Sequence, residues 1–179
     1  MKLLQTKGWD DYELLDSGNG QRLERFGPYV ISRPDPQCIW YPNLPASTWE
    51  KADAVFTKGP SGKEGWIRHS DVPQKWLMKY KDISFYAKLS PFKHTGVFPE
   101  QHIMWDWMEG NVAKGIEHRA KGKPAILNLF GYTGIASLVC AKAGAKVTHV
   151  DASHPTIGWA RENQTVSELA EKPIRWILD

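Results

Sequence analysis

Only two cysteines occur in the 179 residues, Cys38 and Cys140. Their separation matches no metal-ligand spacing, so no metal site is expected from them. Cys140 falls in an apolar segment and reads as a core residue, because a free cysteine packs as a small hydrophobe. Long hydrophobic runs are missing too. The longest fall far short of the roughly 20 apolar residues that span a bilayer. Met1-Lys2-Leu3-Leu4-Gln5 opens no stretch long enough for a signal-peptide core, so the expected location is the cytoplasm. Charge of one sign is scarce: 23 Lys and Arg against 20 Asp and Glu leave a net +3. A strong nucleic-acid binder shows a clear basic patch, and here charge alone gives an RNA partner little support. The sequence has neither internal repeats nor low-complexity segments.

What is present is an ordinary globular composition, 41% hydrophobic and 24% charged, long enough to bury a core. Residues 1–90 read as a β-rich, Trp-rich front domain. Tyr12–Asp16 alternates, Ser17-Gly18-Asn19-Gly20 turns, and Gln21–Phe26 alternates again, which is a hairpin signature. Tyr29–Arg33 is a further strand, closed by Pro34-Asp35-Pro36 because proline cannot continue a ladder. Pro42 and Pro45 mark a loop, Thr57–Gly62 a turn ahead of Trp66-Ile67-Arg68, and Ile83–Leu89 a final strand. Seven of the nine tryptophans precede residue 108. Aromatics on a basic face stack on unpaired bases. The reading adopted for each tryptophan is core area in a small β domain.

Residues 91–124 hold a loop, a helix from Ile103 to about Arg119 weakened by Gly110 and Gly115, and a linker, Ala120–Pro124. Residues 125–179 carry an ordered βαβαβ pattern: strand 125–130, helix about 134–143, strand 145–150, helix about 155–169, strand 174–178. Gly144 suits a helix C-cap. Pro155 suits a first helical turn, with Ser153 or His154 near the cap. Right-handed crossovers make these three strands parallel. Within the pattern, Ala125–Phe130 feeds Gly131-Tyr132-Thr133-Gly134 and then a small-residue helix. Such a turn presents backbone and a helix N-terminus to a nucleotide-like ligand. Asp151, seventeen residues after Gly134, ends the next apolar run, where an acid accepts hydrogen bonds from ribose hydroxyls. Together they point to an adenosine-containing cofactor. The dinucleotide fingerprint Gly-x-Gly-x-x-Gly would need a glycine at Leu129, which disfavours a pyrophosphate. S-adenosylmethionine has no phosphate, and Phe130 and Tyr132 can wall its pocket. A NAD(P)-dependent oxidoreductase stays open, as does a non-catalytic RNA- or partner-binding module with a degenerate cofactor fold.

Asn128-Leu129-Phe130-Gly131-Tyr132-Thr133-Gly134 resembles the first motif of the class I methyltransferases related to bacterial ribosomal RNA cytosine-5 methyltransferases. Val147–Ser153, followed by Trp159-Ala160-Arg161-Glu162-Asn163, resembles that branch's second motif and its helix, and Thr95–Gln101 looks like its pre-motif loop. The resemblance covers about residues 85–179. It implies the α/β fold of a Rossmann-like methyltransferase domain behind the β-rich front domain, S-adenosylmethionine as cofactor, and an RNA base as substrate. Position by position, the backbone of Phe130, Gly131, Tyr132, Thr133 and Gly134 lies along the methionine end, and Asp151 holds the ribose. Ala152 and Ser153 follow near the adenosine, Phe98 and Gln101 approach from the pre-motif loop, and Asp179 lies near the adenine. The branch's Asp-Pro-Pro motif after a fourth strand does not occur in the sequence. Cytosine-5 transfer also needs an attacking thiolate, and neither cysteine has a context for one. No catalytic residue is therefore named; His94, His102 and His154 read as surface residues. Three parallel strands and two helices make half of a doubly wound sheet. The expectation is a half-domain, inactive alone, that a C-terminal half or a partner chain completes.

Overall fold

The computed structural model describes residues 8–58, 62–118 and 122–179. The readings of Met1–Gln5, of 59–61 in the loop before Trp66, and of 119–121 at the helix end and linker lie outside the described residues. The chain divides into two compact units. Among the described residues, one holds 8–80 together with 87–95; the other holds 81–86 and 96–179.

In the first unit, β1 (Tyr12–Gly18), β2 (Gln21–Phe26), β3 (Tyr29–Pro34), β4 (Ala54–Lys58) and β5 (Glu64–Arg68) form one sheet in that order. Asn19 and Gly20 both take positive φ, 48° and 74°. That is the two-residue turn whose twist matches the strands it joins. β3 and β4 pair in parallel, Ile31 opposite Ala54, and the chain between them passes through the short helix α1 (Ala46–Trp49). Tyr12, Leu23, Phe26, Ile31 and Phe56 are buried. Trp9 and Trp76 are core residues as expected, whereas Trp40 is half exposed. Glu24 is fully buried with Arg33. Its carboxylate accepts from Arg33 Nε at 2.6 Å, from Arg33 Nη2 at 2.9 Å and from the Tyr12 hydroxyl at 2.9 Å. A carboxylate without water is tolerable only with such pairing. Burial, then the Glu24 charge, push the Tyr12 phenol far above its usual range.

β6 (Lys75–Tyr80) belongs to the first unit, and β7 (Ile83–Lys88) runs across the division. In the second unit, a 3-10 turn at Pro99–Gln101 leads into α2 (His102–His118). Then come β8 (Ala125–Leu129), α3 (Ile135–Lys142), β9 (Lys146–Asp151), α4 (His154–Val166) and β10 (Ile174–Leu178). The last three strands form a parallel sheet of order β10-β9-β8. Val112, Cys140, Ala141, Ala145 and Val147 make a core cluster with Met108 and Ile126 packed on it. Cys140 and Ala141 of α3 meet Val112 and Met108 of α2 there. Burial pushes the Cys140 thiol up to about 11, and burial also raises Cys38. Neither is a thiolate at neutral pH, as nucleophilic attack requires. Ser153 is the N-cap of α4, its hydroxyl accepting from Thr156 N–H, and Gly144 follows α3 at φ 106°. Among the described residues, no helix is long and apolar enough to cross a membrane.

Candidate functional site

Parallel pairing sets Leu129 opposite Val150 and Asp151 opposite Leu178. The C-terminal ends of all three strands therefore meet, at the edge where open α/β sheets take their ligands. The loop leaving β8 has unusual backbone. Phe130, Tyr132 and Gly134 take φ of 54°, 52° and 85°. Left-handed conformations are costly for aromatic residues and recur where function holds them. Gly131 lies between the two. A Cβ there would fall 2.3 Å from Cε1 of His149, so only glycine lets the loop rest on that ring. Gly131 N–H donates to the Val150 carbonyl at 3.0 Å.

Asp151 ties the loop to the end of β9. One carboxylate oxygen accepts from Tyr132 N–H and the other from Ser153 N–H, each at 2.9 Å. Each oxygen keeps a further lone pair for a ligand hydroxyl. Asp179 N–H donates to the Asp151 carbonyl at 3.2 Å, which places Asp179, Ala152 and Ser153 beside the same strand ends. Thr133 is buried; its hydroxyl donates to the Gly96 carbonyl, and its own carbonyl accepts from Asn163 Nδ2 at 2.9 Å.

A cavity of about 300 Å³ opens over this loop. Phe98, Gln101 and Phe130–Gly134 all line it, so the structure brings these seven expected residues together. Asp151, Ala152, Ser153 and Asp179 do not line it; they stand at the neighbouring strand ends. The Phe98 and Tyr132 rings lie 5.2 Å apart, centre to centre, and form an aromatic wall. Phe130 is 89% exposed.

Several residues to which the sequence reading gave no individual role also shape the site. Trp105 lines the cavity. Gly96, at φ 96°, lies flat on Trp159, where a Cβ would fall 2.1 Å from the ring. Trp159 Nε1 donates to the Tyr86 carbonyl at 3.0 Å. His149 is fully buried beneath the loop. Its Nδ1 lies 3.0 Å from Ser137 Oγ, which accepts from Asn128 Nδ2 at 2.9 Å. Its Nε2 has no hydrogen-bond partner among the described residues. A histidine inside an apolar strand, two residues before a strand-end acid, was the signal available. Of the histidines read as surface residues, His102 is instead buried, with Nδ1 3.1 Å from the Pro99 carbonyl.

No protein-family model matches the chain. Over 148 residues, 76% of its length, it is 34% identical to the ribosomal RNA large subunit methyltransferase K/L of Shewanella sp. strain W3-18-1, covering 20% of that protein. A SAM-dependent methyltransferase from Agrobacterium tumefaciens matches with a TM-score of 0.86 and 45% identity, over 95% of this chain and 53% of that one. SMU.776, solved in complex with SAH, matches with a TM-score of 0.68 and 16% identity, over 94% and 45%. The chain thus spans about one fifth of the ribosomal RNA methyltransferase and about half of each solved chain. Its fold is that of the corresponding part of SAM-dependent methyltransferases.

Proposed function

We propose that this chain forms the cofactor-binding part of an S-adenosylmethionine-dependent methyltransferase acting on RNA. The carrying observation is the 130–134 loop, with aromatic residues held left-handed over a cavity and a strand-end acid bonded to its backbone. The residues present fit the cofactor: backbone edges without a phosphate-binding glycine at 129, ring walls, and a carboxylate for ribose hydroxyls. When bound, S-adenosylmethionine supplies an electrophilic methyl group. This chain's part is to bind it and fix its direction, a contribution of orientation. The backbone of Phe130–Gly134 lies along the methionine end, and Phe98 and Gln101 close over it. Asp151 holds the ribose, with Ala152, Ser153 and Asp179 toward the adenosine. The Agrobacterium methyltransferase supports this reading through 45% identity across nearly the whole chain.

The finer parts of the proposal concern substrate and completeness. The ribosomal RNA methyltransferase relative supports an RNA substrate, and the cytosine-5 branch is the assignment suggested by residues 128–134. β8 lies at one edge of its three-stranded sheet, with Leu127 and Leu129 exposed at 63% and 55%. An edge strand is open to pairing and parallel sheets are covered on both faces, so further strands and helices, from a C-terminal half or a partner chain, extend the β8 edge, cover this face and bring the transfer residues. Titration calorimetry with S-adenosylhomocysteine and with NADH tests the reading. S-adenosylhomocysteine binds and Asp151→Ala weakens it at least about tenfold, roughly 1.4 kcal/mol. Binding of NADH alone, or an unchanged affinity in Asp151→Ala, overturns the assignment.

A further inference from the structure

We infer that the first unit carries a separate site for one unpaired base of single-stranded RNA, in the cavity between the β1–β2 turn and the loop from Tyr41 to Trp49. This rests on the RNA reading above but concerns different residues. The cavity encloses about 460 Å³, within the roughly 300–1,000 Å³ typical of small-molecule sites. Tyr41 and Trp49 line it, with Asn19 and Gln21 at its polar side. Tyr41 is 86% exposed, and its neighbours Ile39 and Trp40 are 87% and 51% exposed.

An exposed ring on a loose loop would mean little, but the backbone of this loop is held. Trp40 Nε1 donates to the Ser17 carbonyl at 2.9 Å and lies 3.2 Å from Ser17 Oγ. Asn19 N–H and Gly20 N–H donate to the Trp40 and Cys38 carbonyls, both at 2.8 Å. Beneath the loop, the buried Asp16 carboxylate accepts from Leu44 N–H at 2.8 Å, Asn43 N–H at 3.2 Å and Trp49 Nε1 at 3.2 Å. Gly18 lets the loop sit directly on the turn, since a Cβ there would fall 2.4 Å from Pro42 N. The anchored Trp49 ring and the Tyr41 ring, carried on this held backbone beside amide side chains, suit a flat base, which offers a π-face to stack and an N–H and C=O edge to bond. No carboxylate lines the cavity, and the Asp16 charge behind it is met by three N–H donors.

The test uses the full 179-residue chain and fluorescein-labelled hexaribonucleotides of each single base, with an RNA duplex of equal length as control. Fluorescence anisotropy at low salt reads binding, with S-adenosylhomocysteine titrated in parallel. At least one single strand binds, the duplex binds more weakly, Tyr41→Ala weakens single-strand binding roughly tenfold, and Tyr41→Phe retains it. Tyr41 packs into no core, so the variant folds as the parent does. Absence of single-strand binding, equal binding of duplex, or an unchanged Tyr41→Ala overturns the site. Loss of S-adenosylhomocysteine binding alone would instead overturn the cofactor reading and leave this one standing.

Discussion

Gly131 and His149 show how much of the candidate site depends on one missing methyl group. Three atoms of the His149 ring lie within 2.8 Å of where a Gly131 Cβ would stand, so Gly131→Ala must push the ring or the loop aside. The ring is fully buried and 4.6 Å from Trp176, so the loop gives way. The expected outcome is at least a tenfold loss of S-adenosylhomocysteine affinity by calorimetry, with secondary structure retained by circular dichroism. The same ring makes stability pH-dependent. Burial lowers the His149 pKa, against the opposing pull of the Asp151 charge and the Tyr132 backbone. In the unfolded chain a histidine takes up its proton near 6.5, while the folded site resists it. The unfolded state therefore binds more protons below that pH, and stability falls as pH drops through about 6.5 but is full above it. Urea denaturation at pH 7.5 and 5.5 should show a larger acid loss in the parent than in His149→Phe; equal losses would refute the assignment.

At the scale of elements, α4 does more than cover the sheet. Asn163, fully buried on α4, accepts from Tyr86 N–H in β7 at 2.9 Å and donates to the Thr133 carbonyl in the cofactor loop at 2.9 Å. Asn163→Leu would leave a backbone donor and a backbone acceptor without partners, at a cost of about 2–4 kcal/mol. Urea midpoints read this directly, and a change below about 0.5 kcal/mol would show that water replaces the amide. The helix itself is legible in the sequence from Ser153 and Pro155, but this bridging role is not. The residues it joins are 77 and 30 positions away, and periodicity carries only local information. The same limit hides β4, which buries Ala54 and Phe56 and pairs with distant β3, but whose Ala54-Val55-Phe56 sequence is apolar without alternation. β6 alternates once seen, burying Trp76, Met78 and Tyr80 while Leu77 faces out. The exposed Leu77 breaks the binary pattern in sequence. The glycine turn, its flanking strand and Asp151 were readable because their chemistry is contiguous along the chain. Gly96, Trp159 and His149 join them only through packing.

For the whole molecule, the two units differ in how their sheets are made. The first begins as a meander of neighbouring strands, β1 to β3, joined by two-residue turns. The second pairs strands only after a helix has crossed between them. Neither unit is one continuous stretch: the first needs 87–95, and the second takes 81–86 before the first is finished. That interleaving fixes an order during synthesis. A nascent chain has β1–β3 available early, since their contacts are local, but the first unit lacks its last segment until Thr95 has left the ribosome. The amide of Tyr86 emerges sooner still and waits for Asn163, 77 residues later. Pulse-labelled hydrogen exchange during refolding should protect Leu23 and Ile31 before Val147 and Val150, and Tyr86 with the latter pair. On a translating ribosome, the stretch from 81 to 86 thus stays without its helix partners until Trp159, Asn163 and Ser167 have emerged to bond Tyr86 and Ser84.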